Sequence, residues 1–232
     1  MRPAPLPPPS IPLFARGAAL VGAAAGIAFL LVLASLHALR PDLNPTWRVI
    51  SEYALGPHGG IMQAAFLALA LATATVGVAA YAQVRTLGGY LGLVLLLVTT
   101  VGMVLMGLYE TDPLTTPADA STPTHRVHIL GAMLDFLPLA APLISYSITR
   151  SRRTDFTGRW LRYLAWLPLL GTIVFFGSIA LLLPANGGAF GPDVLIGIPN
   201  RVMIVTHSVW LILAAGYLLR LPTAAHAPTA AA

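Results

Sequence analysis

Neither cysteine nor lysine occurs in this chain of 232 residues. The first absence removes disulfides, thiolate metal ligands and a cysteine nucleophile. The second removes Schiff-base chemistry and a phosphate-loop lysine. Charge of either sign is scarce. The 13 arginines and 8 acids make up 9% of the residues, against roughly 25% in an ordinary soluble domain. Hydrophobic residues supply 57%, and the mean hydropathy is +0.80. So few charges cannot cover a water-soluble globule, and a water-soluble enzyme is excluded. A net charge of +5 would suit a nucleic-acid binder. Here, however, the arginines stand at helix ends, and no basic cluster is interleaved with exposed aromatics. No nucleic-acid partner is expected, and the lipid bilayer is.

A membrane span needs about 20 mostly apolar residues. Six stretches qualify: Gly17 to Leu39, Ile61 to Gln83, Gly88 to Tyr109, Val127 to Ile148, Leu161 to Leu183 and Val202 to Leu219. They are continuously apolar and rich in Ala, Leu and Gly rather than alternating, so they are helices and not barrel strands. The fold class is all-α, a six-helix transmembrane bundle forming one domain over 17–220. Disordered tails are expected at 1–16, which is proline-rich, and at 221–232. With the N-terminus in the cytoplasm, Arg2, Arg16, Arg85, Arg150, Arg152, Arg153, Arg159, Arg162 and Arg220 fall inside, and Arg40, Arg48, Arg126 and Arg201 outside. That bias satisfies the positive-inside rule and puts both termini in the cytoplasm. The expected setting is a prokaryotic cell membrane, crossed several times. Trp47, Tyr53, Tyr81, Tyr90, Tyr109, Trp160, Tyr163 and Tyr217 are placed as an interfacial belt.

The long loops then share the outer face. In the first, Trp47, Ile50 and Ala54 recur at helical spacing before Gly56 and Pro57. That pattern predicts a short amphipathic surface helix. Glu52 has two expected settings. It pairs with Arg48 one turn back or stays solvated, or it turns inward to Arg126 or Arg201. The second loop leads into His125, Arg126 and His128, with Asp135 seven residues after His128 on the same helical face. An acid inside a span normally faces the bundle interior, and Asp135 is expected to reach His207 in the sixth helix.

The segment Ile-Ser-Glu-Tyr-Ala-Leu-Gly, residues 50–56, resembles the Ile-Ser-Glu core of the family called domain of unknown function 998, which comprises multi-pass membrane proteins of bacteria and archaea. That core precedes the second helix. A histidine-bearing polar stretch before the fourth helix and an arginine opening the last complete the pattern. Ser51 and Glu52, then His125, Arg126 and His128, then Arg201 match it. The resemblance extends from Gly17 to Leu219 and implies an integral membrane protein without supplying a reaction.

The candidate polar site is therefore Ser51, Glu52, His125, Arg126, His128, Asp135, Arg201 and His207, on the extracytoplasmic face. Arg48, Arg126 and Arg201 are expected to grip an acidic group, so that the site binds or handles a lipid headgroup or another small molecule. Two alternatives stay open. Histidine and carboxylate are zinc ligands, and His128, Asp135 and His207 would make a metal-dependent membrane hydrolase, loosely similar in layout to the polytopic ceramidase-like hydrolases. No His-x-x-x-His occurs, however, and the last helix has a single histidine. A proton-coupled transporter would use Asp135 and His207. Against it, no inverted repeat or obviously broken helix is legible, although Pro138 and Pro142 predict a kink in the fourth helix. No catalytic residue and no cofactor are assigned.

Overall fold

The computed structural model describes residues 10–150 and 155–223. Arg2, Arg152, Arg153, His226 and most of both expected tails lie outside the described residues. Eight helices build six spans: α1 Leu13–Leu39, α2 Gly59–Tyr81, α3 Leu87–Leu108, α4 Pro123–Met133, α5 Leu137–Thr149, α6 Phe156–Leu164, α7 Leu167–Ala185 and α8 Gly197–Leu219. Each span is long and apolar enough to cross a membrane, with α4–α5 counting as one span and α6–α7 as another.

Helix α1 packs on α2 and α8, α3 packs on α2, α4 and α5, and α7 leans on α8. Small residues let these helices approach, as membrane packing requires. At the α3–α4 crossing, Gly102 and Gly131 face each other backbone to backbone. A β-carbon at Gly131 would come within 2.6 Å of the Gly102 carbonyl. Span five is the outlier, because α7 buries only Pro168 and Gly171. Its apolar face, including Ile173, Phe176 and Leu181, is exposed.

The fourth span is broken, against the expectation of one helix from Val127 to Ile148. Pro138 has no N–H for the Leu134 carbonyl, which instead accepts from Phe136 N–H at 3.0 Å. The chain leaves helical geometry over Leu134–Phe136, and the freed donors find new acceptors. Phe136 N–H donates to Thr99 Oγ1 of α3 at 2.9 Å. Leu137 N–H donates to Asp135 Oδ1 at 3.2 Å. Irregular backbone at membrane depth survives only where it is satisfied in this way. The fifth span also divides, at Ala165–Trp166 just before Pro168.

The folded body is longer at both ends than the apolar runs suggest. Helix α1 starts at Leu13 rather than Gly17. Ile11 is buried, and its N–H donates to the Pro222 carbonyl at 2.8 Å. Arg16 donates to the Leu219 carbonyl at 2.9 Å, closing the same end of the bundle. Residues 10–16 and 221–223 thus belong to the body because the two chain ends satisfy each other. Of the aromatics expected in an interfacial belt, Tyr81, Tyr90, Trp160 and Tyr163 are exposed at that end, with Tyr81 edge-on to Tyr90 and Trp160 edge-on to Tyr163. Tyr53 and Tyr217 are instead buried in the core.

Candidate functional site

At the opposite end, the first loop folds inward. Ile50–Ala54 forms a 3-10 turn with Ile50, Glu52, Tyr53 and Ala54 all buried, in place of the expected amphipathic helix on the surface. Two contacts from α8 hold it down. Asn200 Oδ1 accepts the Ile50 N–H at 2.9 Å. Gly197 N–H donates to the Thr46 carbonyl at 2.9 Å. Gly197 is required there, because a β-carbon would lie 2.7 Å from the Arg48 carbonyl oxygen. The turn ends through left-handed backbone at Gly56 and His58.

Glu52 does turn inward, but its partner is Arg48, not Arg126 or Arg201. Arg48 Nη1 meets Glu52 Oε1 at 2.6 Å, and Leu114 N–H of the second loop donates to the same oxygen at 2.8 Å. The tight turn places residues 48 and 52 on one side, so the nearer arginine takes the carboxylate. Oε2 is buried with no hydrogen-bond partner. Glu52 is also one of the residues lining a cavity of about 230 Å³, with Arg40, Leu43, Arg48, Leu55, Gly56 and Pro113. The Arg48 guanidinium lies 4.0 Å over the Trp47 ring. Arg40 is fully committed. It forks onto Asp42 at 2.9 and 2.7 Å and reaches the Leu55 and Pro57 carbonyls. That hydrogen-bonded pairing raises the Arg40 pKa and lowers that of Asp42.

Arg201 serves as a strut. Its Nε donates to His37 Nε2 at 2.7 Å, Nη1 donates to the Arg48 carbonyl at 2.7 Å, and Nη2 donates to the Tyr53 hydroxyl at 3.1 Å. His37 Nδ1 lies 2.7 Å from the Leu33 carbonyl. The carbonyl can only accept, so the proton is on Nδ1 and Nε2 is free to accept from Arg201. The expected grip of three arginines on one acidic group does not form. Arg201 is spent on α1 and the first loop. Arg126 is exposed and donates only to the Ser121 carbonyl, at 3.3 Å. Arg48 alone borders the cavity with part of its donor edge unused.

His125 pins the second loop by accepting the Asp112 N–H at 3.0 Å beside Thr111. Asp112 accepts from the Thr122 N–H and hydroxyl at 2.8 Å each, and the backbone N–H of Thr122 is the main reason its pKa is lowered. Ser51 is half-buried, and its hydroxyl has no hydrogen-bond partner among the described residues.

The third group lies within the bundle. His207 is fully buried, and its Nε2 lies 3.1 Å from Asp135 Oδ2. The oxygen stands off the direction of a straight hydrogen bond, so the two groups meet by distance alone. His128 is separate from it. Its Nδ1 bonds to the Tyr109 carbonyl at 2.8 Å, and its ring meets Phe66. Unwinding at Leu134–Phe136 turns Asp135 off the His128 face that an unbroken helix would have kept. Among the described residues, no three His, Asp or Glu side chains converge as a metal site, so His128, Asp135 and His207 do not fit zinc together. Asn200, His37 and Tyr53 are members of the first-loop cluster that residue chemistry did not single out. The signals for them were the position of Asn200 beside Arg201 at the opening of a helix and the position of His37 at the same end of the spans as His125, His128 and His207.

Fold and polar clusters together define a multi-pass membrane protein, all-helical, with its loops organised at one end. The family model described as protein of unknown function (DUF998) matches residues 23–217, and the chain belongs to that family. No curated protein and no solved structure matches the chain.

Proposed function

We propose that this is a prokaryotic plasma-membrane protein with both termini in the cytoplasm. Its extracytoplasmic cavity binds the polar head of a lipid or a related small molecule. Glu52, a lining residue of the cavity whose buried Oε2 has no partner, carries this reading. A buried acceptor without a donor costs roughly 1–3 kcal/mol, and a ligand hydroxyl or ammonium would relieve that cost. The unused edge of Arg48 would take a phosphate or carboxylate oxygen. The two arginines of the cavity wall are balanced, Arg48 by Glu52 and Arg40 by Asp42 outside the wall. The balance favours a neutral or zwitterionic head over a strongly anionic one. The orientation rests on the arginine bias.

The test is native mass spectrometry of the protein from nanodiscs of phosphatidylethanolamine or phosphatidylglycerol, with free phosphoethanolamine as a tail-less competitor. Retained phosphatidylethanolamine that is reduced at least tenfold in Glu52→Gln and Arg48→Gln supports the reading. Displacement by the free head group would identify the soluble molecule as the sufficient ligand. Equal retention of both lipids in both variants refutes it.

A second reading, proton-coupled transport, is favoured by the broken fourth span with Asp135 at the break. Transporter sites are commonly built at such discontinuities. Uptake into proteoliposomes that follows an imposed pH gradient and is lost in Asp135→Asn would support it.

A further inference from the structure

His207 Nδ1 lies 2.6 Å from the Met203 carbonyl oxygen, one turn back along α8. A carbonyl oxygen only accepts, so Nδ1 carries a proton and donates it. In a neutral ring Nε2 is then a bare lone pair. That nitrogen faces Asp135 Oδ2 at 3.1 Å, and an ionised carboxylate is also acceptor-only. Two acceptors set against each other inside the bundle repel, and the buried Nε2 has no other donor to satisfy it there. One additional proton removes the conflict. It sits either on the carboxyl, as O–H toward Nε2, or on Nε2, as an imidazolium facing a carboxylate. Both arrangements are neutral overall, as burial away from water favours. The off-line geometry suits the second form, since attraction between charges is less directional than a hydrogen bond.

We propose that Asp135 and His207 form a one-proton binding site at the break in the fourth span, and that the site is loaded in this conformation. The other charged and titratable groups around α8 are engaged elsewhere. On α1, His37 holds Arg201, and Arg16 holds the far end at Leu219. On the first-loop turn, Glu52 is taken by Arg48 and Tyr53 by Arg201. Helix α7 has no titratable side chain, and α2 has only Tyr81, at its last position. On α5, Tyr146 is exposed. On α6, Arg162 reaches Thr149, and Arg159 and Tyr163 are exposed. Along α8 itself, Arg201 is six residues away, about 9 Å by the helical rise. Asp135 is the less enclosed partner, with 12% of its side chain exposed. When the proton leaves for water, a carboxylate and a neutral imidazole remain face to face. Asp135 keeps its bond to Leu137 N–H, while its attraction to α8 is gone. Proton release thereby loosens the corner of the broken span from the sixth span.

This inference concerns what the pair holds and does not depend on the cavity at Glu52. The full chain, labelled with 15N-histidine and 13C-aspartate in lipid nanodiscs, is examined by solid-state NMR at neutral pH. His207 and Asp135 are assigned by the signals lost in His207→Gln and Asp135→Asn. A doubly protonated ring beside a carboxylate, or a ring protonated on Nδ1 beside a carboxylic acid, is the expected result. A singly protonated ring beside a carboxylate overturns the proposal, as does one equivalent of bound zinc that Asp135→Asn removes. Should either variant misfold, sequential assignment of the uniformly labelled wild-type chain identifies the two side chains and keeps the test open. An unprotonated pair in a chain that still transports protons would sink this inference and leave the transport reading standing.

Discussion

Glu52 accepts from Arg48 and from the Leu114 amide while being itself 1% exposed, so one side chain ties the first loop to the second. Arg48 keeps 23% of its side chain in the open. Its pairing with Glu52 therefore falls between an exposed pair, worth at most about 1 kcal/mol, and a fully buried one, whose rupture costs roughly 3–5 kcal/mol. Glu52→Gln keeps an acceptor for Leu114 but leaves the Arg48 charge unpaired. We expect about 2 kcal/mol of destabilisation within that range, read as a lower melting temperature in detergent. An unchanged melting temperature would mean that the pair holds nothing together. Asp112 is half-buried, and its carboxylate accepts from Thr122. Its folded-state pKa is depressed by the Thr122 backbone N–H. The contribution of this cap is therefore complete above the ordinary carboxylate range and is lost as pH falls through the lowered folded value. The Thr122 amide proton should titrate below the usual carboxylate pH, and Asp112→Asn should abolish that titration. A midpoint at or above the usual value would contradict the bond.

The fourth span is the element that departs most from its sequence pattern, and α3 is what permits the departure. Thr99 is fully buried and takes the Phe136 N–H while its own hydroxyl returns to the Leu95 carbonyl at 3.1 Å. Thr99→Val keeps the shape and removes one of two acceptors, leaving the Phe136 N–H only the Leu134 carbonyl two residues back, at a cost of about 1 kcal/mol. Thr75→Val is the control, because the Thr75 hydroxyl only bonds back to its own helix at Leu71. The first variant should lose stability to thermal unfolding and the second should not. Equal behaviour of the two would show that the break does not lean on α3. Close approach of Gly102 and Gly131 brings Thr99 within reach of the break, so helix packing and the broken backbone are one arrangement.

At the scale of the whole molecule, the two ends of the bundle differ in kind. One end joins the chain termini through Ile11, Pro222, Arg16 and Leu219. The other gathers the long loops and six of the eight acids, Asp42, Glu52, Glu110, Asp112, Asp119 and Asp193. The proposed orientation, drawn from the arginine bias, sets the loop end away from the cytoplasm. Cysteines introduced into this cysteine-free chain test that directly. Asp119→Cys, exposed in the second loop, should react with an impermeant reagent on intact cells. Leu87→Cys, 87% exposed at the α2–α3 turn, should react only after permeabilisation. The reverse pattern would invert the molecule and place the Glu52 cavity in the cytoplasm.

Continuous apolar runs and sparse charge were enough to determine six helical spans, because lipid tolerates no other backbone for such runs. The same reasoning placed Asp135 toward His207, since a carboxylate facing lipid is costly. What residue type and helical spacing do not contain is how backbone groups are satisfied between elements. The division of the fourth span depended on Thr99, supplied by a different helix. The burial of the Ile50–Ala54 turn depended on Asn200 and Gly197, some 150 residues further along the chain. Arg201 looked free to bind an anion until tertiary contacts spent its donors on His37, Tyr53 and the Arg48 carbonyl. Periodicity reports the solvent around each segment. Only the packed structure decided which donor met which acceptor, and so which polar groups remained unpaired at Glu52 and at His207.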